Sequence, residues 1–215
     1  MKISLLTSSP QHPVMPSLRA WSNAMAAKGH AVHLCHDRAE LPGGDVLFLV
    51  SCSQIVRPSD REKYRATLVL HASDLPRGRG WSPYIWEIAG GASEFTVSLI
   101  EASEPVDSGR IWLKTKCPLE GHELLPEIHE RLFAAELELM TQAVERFETL
   151  VPQPQQGEPG PYLRRRTPED SRLDPERTIA EQFDLLRVVD SQRFPAFFEY
   201  RGHRYRLTIE KEIAS

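Results

Sequence analysis

The run Val46-Leu47-Phe48-Leu49-Val50 is apolar at every position, with a Gly43-Gly44 turn before it and Ser51 to Ser53 after it. A strand with one wetted face alternates. A strand with no polar position must be covered on both faces, and parallel sheets flanked by helices meet that demand. Thr67-Leu68-Val69-Leu70 makes the same demand. Upstream, Ile3 to Leu6 reads as a short buried strand and Pro16 to Lys28 as a helix with Leu18, Trp21 and Met25 on one stripe. Ala31 to Cys35 follows Gly29 as a second strand, so the chain opens as a βαβ unit. The fold class expected is α/β, a Rossmann-like, mostly parallel sheet with helices on both faces.

Beyond these strands the pattern predicts a helix over Pro83 to Ala89 and strands over Phe95 to Ala102 and Gly109 to Lys114. A long helix is expected from about Leu124 to Leu150, because Ile128, Leu132, Ala135, Leu139, Ala143 and Phe147 recur at steps of three or four. Val151 to Pro161 is interrupted by proline and glycine and sustains neither helix nor strand, which marks a linker or wrapping loop. Asp174 then reads as an N-cap with Pro175 at the first helical position and Ile179, Phe183 and Leu186 as the apolar face. Two strand-like runs around Arg201-Gly202-His203 signal a hairpin. The division expected is a main domain over 1–150, a linker over 151–163 and a helix-hairpin appendage over 164–215.

A chain of 215 residues with 40% apolar content buries one full core and a small accessory unit. Its net charge of −4 gives no global attraction for polyanions, so a nucleic-acid partner is not expected. Cys35, Cys52 and Cys117 are odd in number and far apart, which suits reduced thiols in a cytoplasmic protein. The N-terminal apolar run is too short for a signal peptide and nothing approaches a membrane span. The first loop, Ser8 to Pro16, lacks the glycines of a dinucleotide fingerprint, which disfavours a nicotinamide cofactor. His30, His33, Cys35 and His36 fall on different faces of a strand and its exit, and no metal site is expected there. Arg164-Arg165-Arg166 has Glu169, Asp170 and Glu176 nearby and reads as an internally salt-bridged turn. Trp86 sits at helical spacing and reads as core.

The segment with chemical character is His71-Ala72-Ser73-Asp74-Leu75-Pro76, with Gly78, Gly80, Trp81 and Pro83 behind it and Asp107-Ser108-Gly109 beginning 36 positions after the histidine. His71-x-Ser73-x-Leu75-Pro76 and the returning Asp107-x-Gly109 resemble the catalytic segment of the folate-dependent formyltransferases. The resemblance spans most of the chain from about Asp45. Its wording, with Gly80-Trp81-Ser82-Pro83-x-x-Trp86 and the tail Arg164 to Ser171, is similar to the sugar N-formyltransferases acting on nucleotide-linked 4-amino-4,6-dideoxy sugars.

This resemblance implies formyl transfer from N10-formyltetrahydrofolate to the amine of a nucleotide-linked amino sugar, with no metal. Other acceptors in the family are glycinamide ribonucleotide and methionyl-tRNA, and a non-catalytic binding homologue is the reading from another class. The amine attacks the formyl carbon, an oxyanion develops and the nitrogen sheds a proton. His71 is placed as base or oxyanion donor, with Asp107 orienting its ring. The resemblance assigns the pterin end of the donor to backbone atoms of Ser103-Glu104-Pro105-Val106-Asp107 and Ser53-Gln54-Ile55. Trp81 is placed to stack on folate or sugar. Arg77 and Arg79 suit a diphosphate or the folate carboxylates, since guanidinium pairs bidentately with both. The basic hairpin Arg201 to Arg206, with Tyr200 and Tyr205, suggests a homodimer edge or packing within the chain.

One departure stands out: the family carries an oxyanion-binding asparagine two residues before the histidine, and this chain has Val69 there. Losing such a donor costs about 2.7–4 kcal/mol of transition-state stabilisation unless another group replaces it. The replacements expected are Thr67, Gln54, a backbone amide or an ordered water.

Overall fold

In the computed structural model, which describes residues 1–212, six strands form one sheet. They are Lys2–Leu6 (β1), Ala31–Cys35 (β2), Gly44–Leu49 (β3), Tyr64–His71 (β4), Glu94–Glu101 (β5) and Ile111–Pro118 (β6), in the order β2-β1-β3-β4-β5-β6. The first four run parallel, while β5 and β6 each pair antiparallel with the strand before. The helices are Met15–Ala27 (α1), Pro58–Arg61 (α2), Pro83–Ala89 (α3), Leu125–Glu145 (α4) and Phe183–Leu186 (α5). Ala196–Tyr200 (β7) and His203–Leu207 (β8) make a separate hairpin. Its two-residue turn, Arg201-Gly202, has positive φ at both positions, the geometry that matches strand twist.

The apolar run in β3 divides as its composition requires. Val46, Phe48 and Val50 join the main core with α1, α3 and α4, and Leu47 and Leu49 face a smaller cluster with Leu6, Val56 and Tyr64 on the other side. The cover is unequal: the three longer helices lie on the first face, and the second is closed by a turn at Arg38–Glu40, by α2 and by loops. In β4 the same alternation sends Leu68 and Leu70 to the main core and Val69 to the smaller cluster. His71, two residues on from Val69, shares its face.

The long helix ends at Glu145, short of the expected Leu150. Its stripe outlasts it, because Phe147 in the following turn still packs on Trp112, with ring centroids 5.6 Å apart. The helix expected from Asp174 does not form: Pro175 and Glu176 lie in a turn, and Ile179 is 59% exposed. Gln182 takes both backbone groups of Asp174, and the Asp174 carboxylate accepts from the Glu176 amide, so this segment closes on itself before α5 starts at Phe183. The tail is fastened by Arg187, 2% exposed, which faces buried Glu123 at 3.6 Å and donates to Asp184 and to the Ala92 carbonyl. Among the described residues no helix is long and apolar enough to cross a membrane.

Glu136 projects from α4 into the main core, and burial pushes its carboxyl up to about 8. An unfolded chain releases that proton near 4.5 and the folded chain holds it, so stability falls as pH rises from about 4.5 to about 8. Glu136→Gln removes this dependence. Urea denaturation is expected to find the variant's advantage over the wild type larger at pH 8 than at pH 5; the same advantage at both would contradict it.

Candidate active site

His71 is the last residue of β4, and Ser98 of β5 pairs with it. Because β5 runs antiparallel, its carboxyl end lies level with Leu68 rather than with His71. The chain after Glu101 must therefore turn back along the sheet to deliver Asp107. Gly109 permits the turn, since a Cβ there would overlap the Glu101 carbonyl oxygen. Asp107 itself takes a left-handed conformation, φ 63°, which costs a non-glycine residue about 1–3 kcal/mol and persists only where its surroundings hold it.

The result is a buried pair. Asp107 Oδ1 stands 3.5 Å from His71 Nδ1, and each residue is 8% exposed. The other carboxylate oxygen accepts from the Gly80 amide at 2.9 Å, and His71 Nε2 lies 2.8 Å from the Gly78 carbonyl oxygen. Both ring nitrogens thus face acceptors: a neutral ring satisfies one, a doubly protonated ring both. The loop between is pinned from below, where Ser98 donates to the Ser73 carbonyl and Ser73 donates to the Arg77 carbonyl.

The segment 151–163 wraps the site rather than merely linking. Gln153 exchanges two backbone hydrogen bonds with Ile111 at the start of β6. Gln155 donates its side-chain amide to the carbonyls of Asp107 and Gly109. Leu163 donates to the Arg79 carbonyl and accepts from the Trp81 amide. A cavity of about 350 Å³ opens between this strap and the loop, lined by Asp74, Arg77, Lys114 and Glu158 among others.

The remaining expected site residues are distributed as follows. Arg77 is paired with Asp74 at 2.8 Å, and Asp74 also receives Lys114. Arg79 reaches the Gly160 carbonyl. Trp81 is 40% exposed, with the Arg165 guanidinium 5.2 Å from its ring centroid. Trp86 is not core, because α3 turns it outward: it is half-buried under the guanidinium of Arg164 and donates to that residue's carbonyl. The expected salt-bridged turn forms in part: Arg164 is paired with Asp170, whereas Arg165 lies over Trp81, Arg166 donates to the carbonyls of Val188 and Asp170, and Glu169 pairs with Arg172. Ser103 and Ser108 share a hydrogen bond, Glu104 is held by Arg61, and Val106 is 50% exposed beside Pro105. The Ser53 amide donates to Ser8, and Ile55 is 69% exposed. Among the described residues no group of three or more His, Cys, Asp or Glu side chains is placed to hold a metal ion.

Val69 stands where the asparagine was expected, between Leu49 and Ile100 and in one apolar cluster with Cys52 and Ala102. Neither side chain named as its replacement serves. Thr67 lies four residues down the strand, about 13 Å from His71 at the usual rise. Gln54 is committed to the His36 carbonyl and the Arg38 amide. Of the replacements expected, a backbone amide or an ordered water is left. The residues that sequence reasoning missed are Gln155, Arg61, the Gly78 carbonyl and the Gly80 amide. All four act through backbone atoms or on them and leave no motif.

Gly80 is positioned by two constraints at once: its φ is 106°, and a Cβ there would collide with the Leu163 carbonyl. Gly80→Ala is expected to cost about 1–3 kcal/mol from backbone strain alone, and to loosen the amide that holds Asp107. Denaturation alongside an activity assay checks this, and wild-type values in both would contradict it.

The formyl transferase family profile matches residues 10–144, more than half of the chain. A methionyl-tRNA formyltransferase from Sinorhizobium medicae is 33% identical over 146 residues, 65% of this chain and 46% of that protein. The chain thus spans about half the length of the curated relatives it matches. Among solved structures, HypX from Aquifex aeolicus in complex with tetrahydrofolic acid superposes with a TM-score of 0.81 at 22% identity, covering 97% of this chain and 37% of that one. A sugar N-formyltransferase from a Shewanella species superposes with a TM-score of 0.74 at 15% identity, covering 100% of this chain and 99% of that one.

Proposed function

Since the chain belongs to the formyl transferase family, we propose that it transfers a formyl group from N10-formyltetrahydrofolate to the primary amine of a nucleotide-linked amino sugar, a 4-amino-4,6-dideoxyhexose. The observation that carries the reading is the buried pairing of His71 with Asp107 at the end of β4. Formyl donor chemistry is supported by the two loops the family uses to hold it. Both abut the cluster around Val69, through Cys52 and Ala102, and each leaves an apolar side chain uncovered, Ile55 and Val106, which suits a flat ring. The donor supplies an electrophilic formyl carbon whose oxygen gains charge as the amine attacks.

The chain's own groups then divide the work. His71 Nε2 exchanges the Gly78 carbonyl for the incoming amine, accepts its proton as the new C–N bond forms, and returns a proton to N10 of the donor as the C–N10 bond breaks and tetrahydrofolate leaves. The imidazolium so formed has the Asp107 carboxylate beside Nδ1, which stabilises it and fixes the ring plane. Gly80 holds the second carboxylate oxygen, so Asp107 cannot swing away. The nucleotide end of the acceptor is assigned to Trp81 and Arg165, an exposed ring beside a cation, with Arg79 and Arg77 on the same loop.

A second acceptor, methionyl-tRNA, is favoured by the name the curated relatives carry and by the hairpin, where Arg201, Arg204 and Arg206 have no acidic partner among the described residues. A homodimer through that hairpin is supported by Tyr200 and Tyr205, each 45% exposed. Assay of the purified protein with the formyl donor and each acceptor separates the readings: turnover of the amino-sugar nucleotide supports the first, turnover of methionyl-tRNA alone replaces it with the second. Folded protein that binds donor without turnover identifies a non-catalytic relative.

Two substitutions test the mechanism. His71→Asn and Asp107→Asn are each expected to lower kcat by at least about 10²-fold; near-normal rates in both would remove it. Val69→Asn restores an amide donor where the family carries one, and the expected gain in kcat is roughly 10- to 100-fold, within the value of one oxyanion donor. A variant that folds but is no faster would mean that another group already serves the oxyanion.

A further inference from the structure

We propose that Gln155, in the middle of the strap and beyond the residues matched by the family profile, is a positioning residue for Asp107. The catalytic reading of the pair rests on the proposed formyl transfer; the positioning itself does not. Asp107 occupies a left-handed conformation, uncommon for a residue with a Cβ, and its loop has to double back from the low end of β5. Something must hold that turn closed. The Gln155 side-chain nitrogen lies 2.9 Å from the carbonyl oxygen of Asp107 and 2.9 Å from that of Gly109, so its two hydrogens close the turn on both sides of Ser108. Because both partners are carbonyl oxygens, the amide must present its nitrogen to them.

The clamp is itself fixed in register. Two residues earlier, Gln153 is locked to Ile111 by a pair of backbone hydrogen bonds at 2.7 and 2.9 Å, the next residue but one after Gly109. Eight residues later Leu163 grips Arg79 and Trp81, on either side of the glycine whose amide holds the Asp107 carboxylate. One segment therefore touches both loops of the pair: the loop that carries Asp107 through Gln155, and the loop that covers His71 through Leu163.

Gln155→Met keeps the side chain's length and removes its donors; Gln155→Ala is a second variant in case the first misfolds. The readouts are kcat and KM for the amine, the melting temperature, and the NMR signal of the His71 ring compared with that in Asp107→Asn. The expected result is a fall in kcat of roughly 10- to 100-fold, the scale of a small misplacement, with KM within about twofold. The His71 signal should move toward its position in Asp107→Asn. An unmoved His71 signal in a folded variant overturns the proposal, whether or not kcat falls, because the effect would then not pass through Asp107. If the wild type shows no turnover, the formyl-transfer reading fails while the His71 signal still decides the role of Gln155.

Discussion

A carboxylate that lies far along the chain from its imidazole has to be brought to it, held and kept from water, and most of the observed architecture bears on that requirement. His71 costs little to place, because it ends a strand buried in the middle of the sheet. Asp107 is costly: its loop reverses over the antiparallel β5 and it sits at positive φ. The groups that offset the cost come from three separate stretches, namely the Gly80 amide, the Gln155 side chain and Arg61, which donates to the Ala102 carbonyl and pairs with Glu104. None of them is a reacting group. Together they make the orientation of one carboxylate a property of the whole fold, which is what the proposed proton shuttle needs if no reorganisation is to accompany the reaction.

The same logic explains why the strap and tail are tied down. A strap with free ends would lose its grip on both loops through chain entropy. Arg187 and Glu123 anchor the far end in a buried contact, where amides of Glu120 and Gly121 also serve the carboxylate. Burial alone would raise the Glu123 carboxyl, but those amides and Arg131 hold it down to about 2. Losing one member of such a pair leaves an uncompensated charge, so the tail is not an optional appendage to the sheet.

Much of this was legible from the residues. The unbroken apolar run of β3 required cover on both sides and has it, and the strands β1 to β4 lie parallel as expected. The pairing of His71 with Asp107 followed from a motif and an interval. What stayed hidden has physical reasons. Phe95 to Ile100 places Thr96 and Ser98 among apolar residues, a strand pattern that does not say which way its neighbour runs, so the antiparallel course of β5 left no trace. Periodicity outlived the helix at Phe147, which packs from a turn. Asp174-Pro175 carries the signature of a helix start, yet Gln182 captured the backbone first. Gln155 was invisible because its partners are carbonyl oxygens, which every residue has. The exchange of asparagine for Val69 was read from sequence, but its strand neighbours Leu49 and Ile100, both apolar, appear only in the fold.

The central claim is that the imidazole and the carboxylate act as one unit in moving a proton. A double-mutant cycle on kcat/KM with His71→Asn, Asp107→Asn and the double variant tests it most directly, since groups that work together are grossly non-additive. The account predicts a double variant no slower than about the worse of the two single ones. Losses that multiply would mean that the two residues contribute independently, and the pairing on which the mechanism is built would be wrong.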